Sequence, residues 1–335
     1  MNFASDNTSG ASPEILTALQ EAATGYAPSY GADPWTARLD GLFSDLFETN
    51  VKAYPAVSGT AANALALSTL VDPWGRIIAH GNAHIFRDEL NAPSVFAGGA
   101  TVEVVQSLDG KLTPDHVTPI LAGAHHDVHT APVQAISFAQ ASEIGTVYTP
   151  DEVAALGALG VPLHMDGARF ANAVAALGCT PAEMTWKAGV QSLCFGATKN
   201  GALDAEAVIF FDGAASERFE RNRKRFGHLL SKMRFVSAQL IAMVENGLWL
   251  TNAAHANRQA RAIAQILTRA EGANLLFEPA ANEVFVSLTD EAEQRLRAAG
   301  AQFFTFTVGD LAVSRFVASF STRDEELAAL QAALA

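Results

Sequence analysis

Six short runs of mostly apolar residues recur between residues 76 and 211: 76–80, 100–105, 134–139, 161–166, 191–196 and 207–211. They do not alternate apolar with polar, as a strand with one wet face does. An unalternating run of this length predicts a strand buried on both faces, and strands covered on both sides belong to an open, mostly parallel α/β sheet flanked by helices. The intervening segments supply the helices. Ser12-Pro13, Asp33-Pro34, Thr113-Pro114, Thr149-Pro150 and Thr180-Pro181 each place a capping side chain before a proline, the pattern of a helix N-terminus. After Asp33-Pro34, apolar residues at Trp35, Leu39, Leu42, Phe43, Leu46 and Phe47 trace one face of a helix.

From about residue 229 to 271 the pattern is helical without an intervening strand. Beyond it, shorter apolar segments (275–278, 284–288, 303–308, 311–319) alternate with helical stretches at 290–299 and 322–334. The expected organisation is a large α/β domain over 1–245, with an N-terminal arm at 1–12, and a smaller C-terminal α+β domain over 246–335. A chain of 335 residues exceeds the size at which one core usually divides.

Composition excludes several classes of function. Hydrophobic residues make up 49% and charged residues 17%, which suits a well-buried enzyme and not a disordered chain. A net charge of −13 argues against nucleic acid or an anionic membrane as partner. The charge-free stretch 53–71 is interrupted by Pro55, Gly59 and Asn63, so it does not read as a membrane span. Two cysteines, Cys179 and Cys194, cannot build a disulfide framework, and residues 1–6 have no basic run or apolar core of a secretory signal. Both point to the cytoplasm.

Between Ala188 and Leu203 the only charged residue is Lys199. An ammonium taken out of water sheds its proton more readily, and the resulting amine can form a Schiff base. The plainer reading is a snorkelling side chain. Ser58-Gly59-Thr60 precedes the helical run 61–70, where free backbone amides and the helix dipole favour an anion such as phosphate, or where an ordinary cap begins a helix. Asp166 ends a buried run. Its counter-charge is either Arg169, three residues on, or the protonated nitrogen of a pyridine ring that acts as an electron sink.

Other residues remain open to two readings. His84 could stack on an aromatic cofactor, serve as acid or base, or be structural. His164-x-Asp166 and the i,i+4 pair His125 and His129 have weak metal-ligand character, and no metal site is expected. Seven of the 22 Lys and Arg residues lie between Arg218 and Arg234, as a solvated helix face or a local field for a phosphate. Arg315 offers a fork that matches a carboxylate, or a surface pair.

Together these blocks resemble the L-threonine aldolases, pyridoxal-phosphate enzymes of the aspartate-aminotransferase fold type (fold type I). The resemblance runs almost end to end: Ser5-Asp6, Tyr30-Gly31-Ala32-Asp33-Pro34, Ser58-Gly59-Thr60, Ala83-His84, His164 through Arg169, Thr198-Lys199 and Met233-Arg234. The Phe195 to Gly201 wording looks most like the low-specificity, phenylserine-cleaving branch. The resemblance implies pyridoxal 5'-phosphate carried on Lys199, with Asp166 on its ring nitrogen and His84 stacked on its ring. Ser58, Gly59 and Thr60 would bind the phosphate, joined by Arg234 of a neighbouring subunit. Ser5, Arg169 and Arg315 would hold the substrate carboxylate, Arg169 also reaching the cofactor; Tyr30 would approach from the partner chain, and His129 would sit near the substrate hydroxyl.

The implied reaction is retro-aldol cleavage of threonine, allo-threonine or phenylserine to glycine and an aldehyde, in a homotetramer of catalytic dimers with active sites at a dimer interface. Either His84 or His129 would take the hydroxyl proton. The chain departs from the family pattern Glu-Asn-Thr-His, having Gln140-Ala141-Ser142-Glu143, and has Thr198 and Asn200 where many members have serine and glycine around the lysine. The rival readings are β-elimination or transamination on the same fold, and a noncatalytic binding protein. A nicotinamide dehydrogenase is disfavoured because no Gly-x-Gly-x-x-Gly follows a strand.

Overall fold

The computed structural model describes residues 1–123, 128–211, 217–308 and 311–334. Seven strands form the large sheet: β1 (Lys52–Ala56), β2 (Arg76–His80), β3 (Thr101–Val105), β4 (Val133–Ala139), β5 (Leu163–Gly167), β6 (Val190–Gly196) and β7 (Glu206–Phe210), in the order β1-β7-β6-β5-β4-β2-β3. The segment from β3 to β6 is parallel, and β7 and β1 close the far edge antiparallel. All five residues of β5 and of β7 are buried; β7 accordingly runs Ala-Val-Ile-Phe without alternation, whereas β5 buries its polar His164 and Asp166 along with Leu163 and Met165. β3 is the exposed edge; there Glu103 pairs with Arg76 of β2.

β1 has no continuous apolar run, because Pro55 sits in its middle and Lys52 at its start. An edge position tolerates a proline that a central strand would not. The expected helix after Asp33-Pro34 forms as two pieces, Pro34–Ala37 and Leu39–Phe47, and buries Leu39, Phe43 and Phe47.

The caps do what their chemistry allows. Asp33 Oδ1 accepts from the Thr36 backbone N–H at 2.8 Å, and Thr149 and Thr180 form reciprocal capping boxes with Glu152 and Glu183. Ser12 makes no capping hydrogen bond; its Oγ accepts from Asn252 Nδ2 at 3.0 Å and its N–H donates to the carbonyl of Gly201 at 2.9 Å. A residue that reads as a cap is used to tie down the turn carrying Lys199.

Helices cover both faces of the sheet. One face holds a core that includes Phe43, Phe47, Phe170, Phe195 and Trp249. On the other, helix Gly59–Leu70 is buried continuously from Ala61 to Ser68, which accounts for the charge-free stretch noted in the sequence. Helix Leu248–Arg269 joins two cores: Trp249 and Ala253 pack into the large one, Ala260, Ile263 and Leu267 into a second.

That second core underlies an antiparallel sheet of β8 (Ala273–Leu275), β9 (Glu283–Leu288), β10 (Phe304–Val308) and β11 (Leu311–Val317), in the order β10-β11-β9-β8. Phe3 of the N-terminal arm is fully buried there, and Asn2 bridges to Gln302. The arm therefore spans both units. Among the described residues no helix is long and apolar enough to cross a membrane.

Candidate active site

The carboxyl ends of parallel strands gather ligands in such sheets, and here those of β5 and β6 meet the start of helix Gly59–Leu70 around one cavity. It has a volume of about 230 Å³ and is lined by Ser58, Gly59, Thr60, His84, Asp166 and Lys199, with Asn7, Asn63, Glu143, Thr198, Asp204 and Glu206 among the others.

The lysine turn is held from several sides. β6 ends at Gly196, where a Cβ would stand 2.7 Å from the backbone of Ala168, so only glycine lets the chain pass. Thr198–Asn200 form a 3-10 turn that ends at Gly201, whose φ of 113° suits glycine and whose missing Cβ leaves room for Ser12 Oγ. Asn200 Nδ2 donates to the Trp249 carbonyl and Asn252 Nδ2 to that of Asn200, each at 2.8 Å. Lys199 itself forms no ion pair among the described residues; Asp6 and Glu206 are carboxylates that feel its charge.

Asp166 ends β5 with both oxygens engaged. Oδ1 accepts from the Ala168 N–H at 3.0 Å and Oδ2 from Asn63 Nδ2 at 2.9 Å. Asn63 Nδ2 also donates to Glu89 Oε1 at 2.9 Å, and Glu89 Oε1 lies 2.8 Å from His84 Nδ1. A buried chain thus runs Asp166–Asn63–Glu89–His84. Its hydrogen bond to Glu89 raises the His84 pKa above the ordinary imidazole value, against desolvation. Burial raises the Glu89 pKa, and Glu89 Oε2 has no partner among the described residues.

At the third corner, Ser58 Oγ accepts from the Ala61 N–H at 3.2 Å. Gly59 and Thr60 occupy the first turn, where N–H groups have no intrahelical acceptor. Nothing stands within 4 Å of a Cβ built on Gly59, so the approach is open.

Other residues singled out in the sequence lie elsewhere. Arg169, only 4% exposed, is held by Asp6: Nε to Oδ2 at 2.9 Å and Nη2 to Oδ1 at 3.1 Å, with Glu283 at 3.5 Å. It is not the counter-charge of Asp166. Burial opposes the charge on Asp6, but Arg169, Lys199 and Asn282 outweigh it and hold its carboxyl below the usual range. Arg315 Nη1 donates to Glu283 Oε1 at 3.4 Å, while its Nε is buried with no partner among the described residues. Ser5 caps the turn Asp6–Thr8, and Asn7 of that turn reaches the cavity.

Tyr30 is half exposed at 51%, with Lys224 Nζ 4.5 Å from its ring centroid. Arg234 begins helix Arg234–Glu245, does not line this chain's cavity, and has a buried Nε with no partner among the described residues. His129 lies in the turn before β4 and does not line the cavity; His125, its proposed partner for metal, falls outside the described residues. His164 is buried against Ser137 Oγ (2.9 Å from Nδ1) and Cys194 Sγ (3.4 Å from Nε2), and burial pushes its pKa down to about 4.

Asn63, Glu89, Asn7 and Glu206 were not singled out from the sequence. Asn63 and Glu206 carried a usable signal: each is a polar residue within or beside an otherwise apolar run of a buried element. Asn7 and Glu89 carried none.

Comparison with known proteins matches residues 2–291 to the family described as Beta-eliminating lyase. The chain is 43% identical over 334 residues to a low specificity L-threonine aldolase of Pseudomonas sp. (strain NCIMB 10558), covering 98% of this chain and 96% of that protein. It is 44% identical to the low specificity L-threonine aldolase of Pseudomonas aeruginosa, covering 97% and 94%. Among solved structures it superimposes on a threonine aldolase of Leishmania major with a TM-score of 0.92, at 25% identity over 99% of this chain and 98% of that one.

Proposed function

The chain belongs to the beta-eliminating lyase family and, within it, to the low-specificity L-threonine aldolases, and on that premise we propose that it cleaves L-β-hydroxy-α-amino acids to glycine and an aldehyde using pyridoxal 5'-phosphate. The observation that carries the residue assignment is the convergence of Lys199, Asp166, His84 and Ser58-Gly59-Thr60 on one cavity.

The residues present fit the cofactor. A first-turn amide cradle with open space over Gly59 suits a phosphate, a carboxylate suits a ring N–H, and an amine outside any ion pair among the described residues suits covalent attachment. Bound there, pyridoxal phosphate supplies an electron sink for the carbanion left on Cα when the Cα–Cβ bond breaks. Lys199 Nζ is the attachment point. Asp166 would hold the proton of the ring nitrogen, its carboxylate oriented by Asn63 and the Ala168 N–H.

His84 lies at the cavity with Nδ1 committed to Glu89, so Nε2 is the nitrogen that takes the β-hydroxyl proton. The structure supports His84 over His129 for this role, because only His84 lines the cavity among the described residues. Arg315, whose Nε has no partner among the described residues and whose Nη1 reaches Glu283 only at 3.4 Å, has hydrogen-bonding capacity for the substrate carboxylate. A fixed carboxylate orients the scissile bond relative to the ring. Arg169, already held by both oxygens of Asp6, positions the N-terminal turn that brings Asn7 to the cavity. In the assembled enzyme, a homotetramer of dimers, Arg234 and Tyr30 of a neighbouring copy complete the phosphate and substrate sites; the Arg234 Nε, without a partner among the described residues, and the half-exposed Tyr30 support this.

The test is a visible spectrum of the purified protein, followed by addition of threonine and phenylserine with glycine and aldehyde quantified. Release of ammonia or a keto acid in their place would assign β-elimination or transamination instead. No spectral change with either amino acid would leave a binding protein.

A further inference from the structure

Glu206 is a buried carboxyl that the proposed chemistry does not use. It is 6% exposed and lines the same cavity as Lys199. As the first residue of β7 it pairs with Gly196, three residues before Lys199, and with Ala56, two residues before Ser58. The Gly196 pairing sets Glu206 beside Ala197 and Thr198, the two residues that lead into the lysine, and the Thr198 hydroxyl is itself bonded to the neighbouring Ala205 backbone.

The groups facing it are Lys199 on the turn, Asp166 on β5, the neutral thiol of Cys194 on β6 and Asp204 in the connection before β7; Ser58, Thr60 and Asn63 contribute no charge. Carboxylates outnumber cations here. Burial therefore dominates, and with Asp166 adding repulsion the Glu206 pKa is pushed up to about 7, despite the opposing pull of Thr198 and Lys199.

We propose that Glu206 is the proton store of Lys199: its carboxylate accepts the proton that the ε-ammonium must lose before Nζ can attack a carbonyl carbon, and returns it when the amine is released. An N–H bond breaks, an O–H bond forms, and the pair stays neutral overall. No ion pair within 4 Å joins the two side chains among the described residues, so the transfer passes through one water or a rotation of the lysine stem. Glu206 is a positioning residue acting through Lys199, and the proposal rests on Lys199 being the attachment amine.

The test is competitive labelling of the full chain, stripped of cofactor, with trace acetic anhydride from pH 5.5 to 9.5, with Lys199 acetylation read by peptide mass spectrometry. In wild type, the logarithm of the rate should climb with unit slope, flatten near neutrality where Glu206 ionises, and climb again. Glu206→Gln should follow one unit-slope line and label roughly three- to tenfold faster at pH 8, because a carboxylate that favours the ammonium is gone. In reconstituted protein, the midpoint of the visible-band pH titration should fall in the variant.

A wild-type profile with no bend overturns the proposal whether or not the variant folds, and so does a variant that keeps the bend. If reconstituted wild type shows no visible band, the aldolase reading fails while the labelling profile still decides the role of Glu206.

Discussion

Two clusters of buried charge lie close together in this chain and are built on opposite plans. At the cavity, Lys199 has no ion pair among the described residues, and Glu89, which holds the cavity-lining His84, keeps an oxygen without a partner among them; Arg315, whose Nε also has none among them, stands between the clusters because it shares Glu283 with Arg169. Beneath it, Arg169 is gripped bidentately by Asp6 and backed by Glu283, and Asn282 Nδ2 adds a further bond to Asp6 at 3.1 Å. The first cluster leaves capacity for a ligand. The second spends its charge joining the N-terminal arm, the large sheet and the small sheet. Arg169 therefore meets any ligand with Nε and Nη2 already committed to Asp6.

Substitutions in the two clusters should fail in different ways. Lys199→Ala should lower kcat by at least about a thousandfold, some 4 kcal/mol of transition-state stabilisation, and abolish the visible band, with the urea midpoint little changed. A variant that kept its turnover would remove the lysine from the chemistry.

Asp6→Asn leaves the Arg169 charge buried and poorly paired, and should cost about 3–5 kcal/mol in equilibrium unfolding. The Asp6 carboxyl is held below the ordinary aspartate value of 3.8, so its contribution is present above that pH and is lost as pH falls through the lower folded value. The variant should accordingly lose part of the wild type's acid sensitivity. Equal stability of the two proteins at pH 7 would make the Asp6–Arg169 pair an ornament of the fold.

Arg315 tests the boundary between the plans. Arg315→Leu should raise KM for threonine by about 10- to 100-fold, equivalent to the roughly 1.5–3 kcal/mol of hydrogen bonds to a charged group. An unchanged KM accompanied by a large loss of stability would move Arg315 into the structural cluster.

The smallest effect is expected at Glu89. Its hydrogen bond raises the His84 pKa, so Glu89→Gln should shift the acidic limb of the kcat–pH profile to lower pH, since neutral imidazole then persists further into acid. A limb that stays in place would argue that His84 is not the base.

Much of the fold was legible because its signals are local. Runs buried on both faces do not need to alternate, and the interior strands could be read on that ground; the run at 100–105 does form a strand, but β3 is an exposed edge and not buried on both faces as expected, and β1 escaped because Pro55 and Lys52 disguise an edge strand. Lys199, Asp166 and Ser58-Gly59-Thr60 were legible for a related reason. Each marks the end of a strand or the start of a helix, where a buried sheet opens to ligands.

Partner choice was not legible. Asp6 and Arg169 are 163 residues apart, Asn63 and Asp166 are 103 apart, and Ser12 meets Asn252 across 240. From spacing alone Arg169 was the nearest cation to Asp166, yet the fold gives Arg169 to Asp6 and gives Asp166 an amide. The sequence by itself determined most of the strands and several helix starts, since those follow from backbone periodicity and local hydrogen bonding, and it marked the side chains proposed to carry chemistry. Only the tertiary structure decided that Lys199 stays outside any ion pair among the described residues, that Arg169 does not, and that Glu206 stands beside the lysine turn. Those facts depend on which strand ends converge, and strand order is a property of the assembled sheet.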